Sequence, residues 1–264
     1  MKKIIAVVFM TMGFIALNAQ EIDFVEYDLD NGLHVILHQD NRAPVITTSV
    51  QYHVGSKNEE VGRSGFAHFF EHLLFEGTKN IGSGEWFKIV EANGGSNNAY
   101  TTDDSTYYYE VFPSNKLELG LWMESERMLH PIIRQTDRID LQEGVVKEEK
   151  NFRYRNAPYG GLLYAVRSQL YKVHPYGRLT IGLDKDLEAA NIDDFIKFNS
   201  LYHKPNNATL VVAGDIDYEE TKKLIKKYFD DIPSSSLDKN ELPSEDLITE
   251  TRRSTWYDPN VQVP

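Results

Sequence analysis

Apolar and polar residues change their period several times along the chain, and each change marks an element. Alternation at 27–29 and 33–37 around Asp30-Asn31-Gly32 predicts a β-hairpin, because Asn-Gly accepts the positive φ of a tight turn. Residues 45–54 read as a third strand. Ser64 is placed to cap a helix running to Glu76, where Gly77 stops it, and 85–92 predict a shorter helix closed by Gly94-Gly95. Residues 98–112, dense in Thr and Tyr, predict one strand. Helical spacing follows at 116–129, 137–155, 161–171, 193–202 and 218–229, with an apolar strand at 208–213 between the last two. The organisation is therefore mixed α and β, without an internal repeat.

The two ends read differently. Lys2 and Lys3 precede an apolar run at 4–17 that is too short to span a bilayer comfortably, and Asn18-Ala19-Gln20 follows as a cleavage region. Residues 1–19 are thus expected to be a secretory signal peptide, which makes the mature chain secreted or periplasmic. No later segment is apolar and long enough for a membrane span. Residues 233–243, rich in Ser, Asp and Pro, predict a domain-exit linker, and 249–257 predict a strand beginning something further on.

Forty acidic against 28 basic residues give a formal charge of −12. Loss of Lys2 and Lys3 with the signal would take it to −14, a sign that repels phosphate backbones, so nucleic acid is not an expected partner. The chain has no cysteine, which excludes disulfides, thiolate nucleophiles and thiolate zinc sites. Any metal must be held by His, Asp or Glu.

Such residues converge in His68-Phe69-Phe70-Glu71-His72, inside the helix opened by Ser64. Positions i and i+4 lie one turn apart on one helix face, so the imidazoles of His68 and His72 can meet on one cation with Glu71 beside them. The neighbours Phe69, Phe70, Leu73, Leu74 and Phe75 are apolar, and polar groups in a buried helix cost free energy unless something compensates them. A metal would. Neutral imidazoles suit zinc, and an adjacent carboxylate can take a proton from its bound water. A catalytic zinc normally has three protein ligands, so one must come from elsewhere. The helix at 137–155 offers Glu148 and Glu149, which project about 100° apart. One of them can face the metal and spacing does not choose; the alternative is that both are surface charges pairing with Lys147, Lys150 or Arg153. His34, His38, His174 and His203 read as structural.

Further blocks accompany the motif. Gly65-Phe66-Ala67 precedes it and Phe75-Glu76-Gly77-Thr78 follows. Asn98-Ala99-Tyr100-Thr101, Glu126-Arg127-Met128, His174-Pro175-Tyr176-Gly177, Pro205-Asn206-Asn207-Ala208-Thr209 and Val211-Val212-Ala213-Gly214-Asp215 come later in that order. With these, the chain resembles the N-terminal catalytic half of the pitrilysin/insulysin family of inverted-motif zinc metallopeptidases, which includes the mitochondrial processing peptidases. The likeness runs over residues 25–258.

The resemblance implies an α+β two-layer sandwich, with a largely antiparallel mixed sheet packed by helices, as in the processing-peptidase-like metallohydrolase fold. It implies one Zn2+ held by His68, His72 and a distal glutamate, and Glu71 as general base. The family spacing of 76 intervening residues is met by 73–148, which implies Glu149, with Glu148 as fallback. Seven residues earlier, where the family commonly has a second glutamate, this chain has Gln142, whose amide can hydrogen-bond a ligand or water but brings no charge. The resemblance further implies that a peptide substrate lies as an extended strand against residues 98–101, with Asn98 and Ala99 as contacts and Phe75 lining a side-chain pocket. Residues 20–240 would form the zinc peptidase domain, and 241–264 a linker and the start of a second homologous half, supplied in cis or by a partner in trans. The leading expectation is a secreted or periplasmic metalloendopeptidase that cleaves peptides or unfolded polypeptides with a zinc-bound water. The alternative is a non-catalytic subunit that binds peptides or scaffolds a family heterodimer.

Overall fold

The computed structural model describes residues 22–131, 136–236 and 241–261. The expected signal peptide at 1–19 lies outside them. The N-terminal hairpin forms as predicted: β1 (Val25–Asp28) pairs antiparallel with β2 (His34–Gln39), with Val25 opposite Leu37 and Gly32 at φ +85° in the turn. The next elements are β3 (Val45–Tyr52), α1 (Phe66–Leu73), α2 (Trp86–Ala92), β4 (Ser96–Thr101) and β5 (Thr106–Pro113). They are followed by α3 (Leu117–Leu129), α4 (Thr136–Lys150), a π-helical turn at Asn151–Arg155, α5 (Leu162–Leu170) and α6 (Asp184–Glu188). The chain then builds α7 (Ile192–Tyr202), β6 (Ala208–Gly214) and α8 (Tyr218–Phe229).

The six strands form one sheet in the order β1-β2-β6-β3-β5-β4. Strand β6 enters the middle, parallel to β2 and antiparallel to β3, while the other pairs are antiparallel. This is the expected α+β architecture with a mixed, largely antiparallel sheet. Alternate residues of the sheet point to one side, and there Val35, Leu37, Ile46, Val50, Tyr52, Tyr108, Phe112, Leu210 and Val212 are buried against the helices. Among the described residues, strand β4 pairs only with β5, which leaves its outer edge free of them. No helix of the described residues is long and apolar enough to cross a membrane.

Four expectations need correction. Residues 98–112 are not one strand but the hairpin β4–β5. Its turn is held by Thr102, whose N–H donates to Ser105 O (2.8 Å) and whose hydroxyl accepts from the N–H groups of Asp104 (3.1 Å) and Ser105 (3.0 Å). A Thr-Asp-Asp-Ser turn inside a β-rich run is thus what the strand propensity concealed. Ser64 is not the cap of α1: Gly65 takes that place at φ +89°, while the Ser64 hydroxyl donates to Asp186 Oδ2 (2.5 Å). The helix also ends at Leu73 rather than Glu76. Residues 249–257 adopt no regular strand.

Helix α1 is seated by aromatic packing. Phe195 of α7, fully buried, stacks on Phe66 (ring centroids 4.9 Å) and meets Phe69 edge-on (5.1 Å), with Phe70 at 6.3 Å. Removing a ring from such a site loses its transfer free energy and leaves a cavity. Phe195→Ala should therefore destabilise the protein by about 3–5 kcal/mol, read as a lowered midpoint in urea unfolding with an unchanged slope.

Candidate metal centre

Helix α1 packs against both α4 and β4, and the site lies where the three meet. The four-residue spacing sets His68 and His72 on one face, with ring centroids 4.8 Å apart. Across from them, α4 presents Glu149, whose Oε2 lies 3.5 Å from His68 Nε2 and 3.3 Å from His72 Nε2. Glu148 is exposed and takes only a 3.4 Å contact from Asn151 Nδ2, so the geometry chooses between the two glutamates. Among the described residues, His68, His72 and Glu149 are the one group of three potential ligands that comes together, with all donor atoms within 4.8 Å of one another.

The donor set fits zinc. Metal–donor distances of about 2.0–2.2 Å in a tetrahedron require ligand atoms about 3.4 Å apart, which the two imidazole–carboxylate separations match. Glu149 is held for this task from behind: Arg153 Nη1, one turn on, lies 2.9 Å from Oε1, leaving Oε2 to the imidazoles. The adjacent imidazole of His72, together with His68 and Arg153, holds the Glu149 carboxyl below its ordinary value. Burial and the neighbouring His72 bring His68 down to about 4, so its imidazole is neutral near pH 7 and has a lone pair to give.

Glu71 projects beside the pair and is buried. Its Oε2 accepts the Thr101 hydroxyl at 2.5 Å, which ties the carboxylate to β4. Burial raises its pKa above the ordinary carboxylate value, against the pull of that hydrogen bond. A carboxylate with raised basicity beside a metal site is suited to accepting a proton. Gln142, two turns before Glu149, reaches the same place: its Oε1 lies 3.2 Å from His72 Nδ1.

The expected substrate contacts are arranged less uniformly. Ala99 and Thr101 face the helices, whereas Asn98 turns outward, its Oδ1 accepting the Ala99 N–H (2.9 Å). Phe75 is half-buried, stacked on Phe87 (5.2 Å) and set against Trp86 and Tyr108. Beneath it the fully buried Arg127 guanidinium lies 4.0–4.6 Å from the rings of Trp86, Tyr108 and Phe75 and pairs with Glu110 (2.8 Å) and Glu124 (3.0 Å). The four histidines expected to be structural make contacts away from the pair: His34 pairs with Asp28 (2.7 Å), His38 Nδ1 bonds Asp23 O (2.7 Å), His174 accepts the Tyr176 N–H and His203 is buried among Tyr52, Phe70 and Phe198.

Two supports escaped the sequence reading. Thr101 was foreshadowed by its inward position in the two-residue period of β4. Glu59 carried no signal. Its buried carboxylate accepts the N–H groups of Gly65 (2.9 Å) and Ala67 (3.0 Å), doing for α1 what Ser64 was expected to do.

A family model described as insulinase, peptidase family M16, matches residues 34–182, and one described as the peptidase M16 inactive domain matches 189–263. The zinc protease PqqE of Helicobacter pylori is 36% identical over 217 residues, covering 82% of this chain and 48% of that protein. A protease from Helicobacter pylori of known crystal structure superposes with a TM-score of 0.78 at 35% identity, over 85% of this chain and 53% of the other. The periplasmic protease PqqL of Escherichia coli gives 0.78 at 27% identity, over 86% of this chain and 26% of the other. The chain belongs to the insulinase family, peptidase family M16. The resemblance read from the motifs thus holds. The chain spans about half the length of the Helicobacter pylori relative.

Two outcomes follow from this geometry. Glu149→Ala should abolish stoichiometric zinc uptake, measured by metal analysis after desalting, while Glu148→Ala should retain it. Burial pushes the Glu59 carboxyl up to about 8, against the pull of its two backbone hydrogen bonds. From the ordinary carboxyl value of 4.5 up to about 8 the folded state therefore holds a proton that the unfolded state has released, so stability falls as pH rises through that window. Urea unfolding across pH 4.5–8 should show wild type losing stability relative to Glu59→Gln as the pH increases.

Proposed function

We propose that this chain carries the zinc-binding catalytic domain of a secreted or periplasmic metalloendopeptidase that hydrolyses peptides or unfolded polypeptides. The observation that carries the reading is the pair of 3.3 and 3.5 Å separations between Glu149 Oε2 and the two imidazoles, with Glu71 alongside. Membership of a family with zinc-protease relatives supports the metal as Zn2+. Residues 20–240 are read as the peptidase domain, and 241–264 as the link to a second homologous half, in cis or from a partner. Export is supported by the lysine-flanked apolar run before residue 20 and by the periplasmic relative in Escherichia coli.

His68, His72 and Glu149 would hold the metal. When bound, zinc supplies Lewis-acid polarisation of the scissile carbonyl and makes water acidic enough to attack near neutral pH. Glu71 takes the proton of the attacking water at its carboxylate and returns it to the leaving amine nitrogen. Thr101, by donating its hydroxyl to Glu71 Oε2, keeps the other oxygen free for that transfer. Every second residue of β4 turns its N–H and C=O to the free edge, where an extended peptide would add as a further strand, aligned past Asn98 and Ala99 towards Glu71. Ala99 then contributes through its main chain, its N–H exchanging Asn98 Oδ1 for the peptide, and Phe75 borders the bound side chains.

The deciding experiment pairs metal analysis with cleavage of unfolded peptides by the full-length protein together with its second half. Glu71→Gln should keep zinc and lower kcat by about 10²–10⁴-fold. Undiminished turnover in that variant would remove Glu71 as the base. A wild-type protein that binds peptide but cleaves none would indicate the non-catalytic subunit instead.

A further inference from the structure

The two imidazoles of the site are supported differently. His68 Nδ1 is buried without a hydrogen-bond partner among the described residues. His72 Nδ1 faces the Gln142 carbonyl oxygen at 3.2 Å, and the amide NH2 of Gln142 donates to Glu76 Oε1. Glu76 sits four residues after His72, past the end of α1, and its side chain is mostly shielded from solvent. Its other oxygen accepts the Ser83 hydroxyl (3.1 Å) and lies 3.8 Å from Arg138 Nη1.

We propose that Glu76 is a positioning residue for the metal site, acting on His72 through the side-chain amide of Gln142. This inference rests on the zinc reading of the site. An amide can face either way, and its two ends differ in sign. The carboxylate of Glu76 accepts only, so it draws the NH2 end of Gln142 towards itself and turns the carbonyl end towards His72. A carbonyl there accepts the Nδ1 proton and selects the tautomer whose Nε2 carries a lone pair. That nitrogen is the one facing Glu149. With the amide reversed, its NH2 would face Nδ1, the ring proton would move to Nε2, and the ligand would be lost. Ser83 and Arg138 hold the carboxylate in place, so the orientation is set at one end of a three-residue chain and read at the other. The negative charge that Gln142 itself lacks is present one hydrogen bond further from the imidazole.

The test compares Glu76→Gln, Gln142→Met and the double exchange Glu76→Gln/Gln142→Glu with wild type in the full-length protein. Zinc affinity is read by competition with a chromophoric chelator, and the His72 tautomer by 15N NMR of the metal-free protein. Melting curves in chelator confirm that each variant is folded. Glu76→Gln should weaken zinc binding about 10-fold, and Gln142→Met 10–100-fold. Both should mix the His72 tautomers. The double exchange restores an acceptor facing Nδ1 with a donor behind it, and should recover wild-type affinity and a single tautomer. Unchanged affinity and tautomer in Glu76→Gln, or a double exchange no better than the single variants, would overturn the proposal. A wild-type protein that takes up no zinc would defeat the metal reading instead, and the NMR comparison would still decide the relay.

Discussion

The site depends on one constraint: the start of α1 and the end of α4 are fastened to the same short segment, residues 182–186, where the chain enters α6. At α1, Gly65 and Gly182 meet backbone to backbone, both at positive φ, and a side chain on Gly182 would place its first carbon 2.3 Å from Ser64 O. The Ser64 hydroxyl donates to Asp186 and accepts the Leu183 N–H (3.0 Å). At α4, Lys150 Nζ, nearly buried, donates to Gly182 O and pairs with Asp184, each at 2.7 Å. The separation of His68 from Glu149 is therefore set by a third segment and not only by the side chains between the helices. Preorganisation of this kind lets ligands wait at the spacing of a tetrahedron without a metal to draw them together.

What could be read in the sequence was local. The i, i+4 histidines, the two-turn interval from Gln142 to Glu149, the N-terminal hairpin and the boundaries of α8 follow from periodicity and turn chemistry that neighbouring residues carry between them. The choice of Glu149 over Glu148 came with the family likeness, because two adjacent helical positions differ only in which way they face. Partners distant in the chain were silent. Glu59 caps α1 from a loop, so nothing in the pattern around residue 64 told Ser64 that its place was taken. Glu76 reads only as the last residue of a predicted helix until Gln142, 66 positions later, is seen to lie on it. The turn at Thr102 was masked because Thr and Tyr on both sides favour strand whichever way the chain bends.

The floor under Phe75 is charged, which hydrophobic patterning does not suggest. Glu110 and Glu124 share Arg127, all three fully buried, and the guanidinium is faced by three aromatic rings. Burial and the second carboxylate push the Glu110 pKa well above the ordinary range, against the pull of Arg127. Breaking such a cluster by removing one member leaves the rest uncompensated. Phe75, resting on that cluster, belongs to a rigid wall and has little freedom to reshape itself around different side chains.

The position of β6 has a consequence for how the molecule comes into being. His34 of β2 pairs with Thr209, and Tyr52 of β3 with Ala208, so the middle of the sheet is supplied by the last in chain order of its six described strands. His68, His72 and Glu149 all leave the ribosome before it. Until residues 208–214 emerge, β2 and β3 have no common neighbour and the platform beneath α1 is open, a pairing of long sequence separation that slows folding. The nascent polypeptide thus carries every metal-site residue for some time without the architecture that aligns them. Assembly of the centre is a late event, coupled to completion of the sheet rather than to the appearance of the motif.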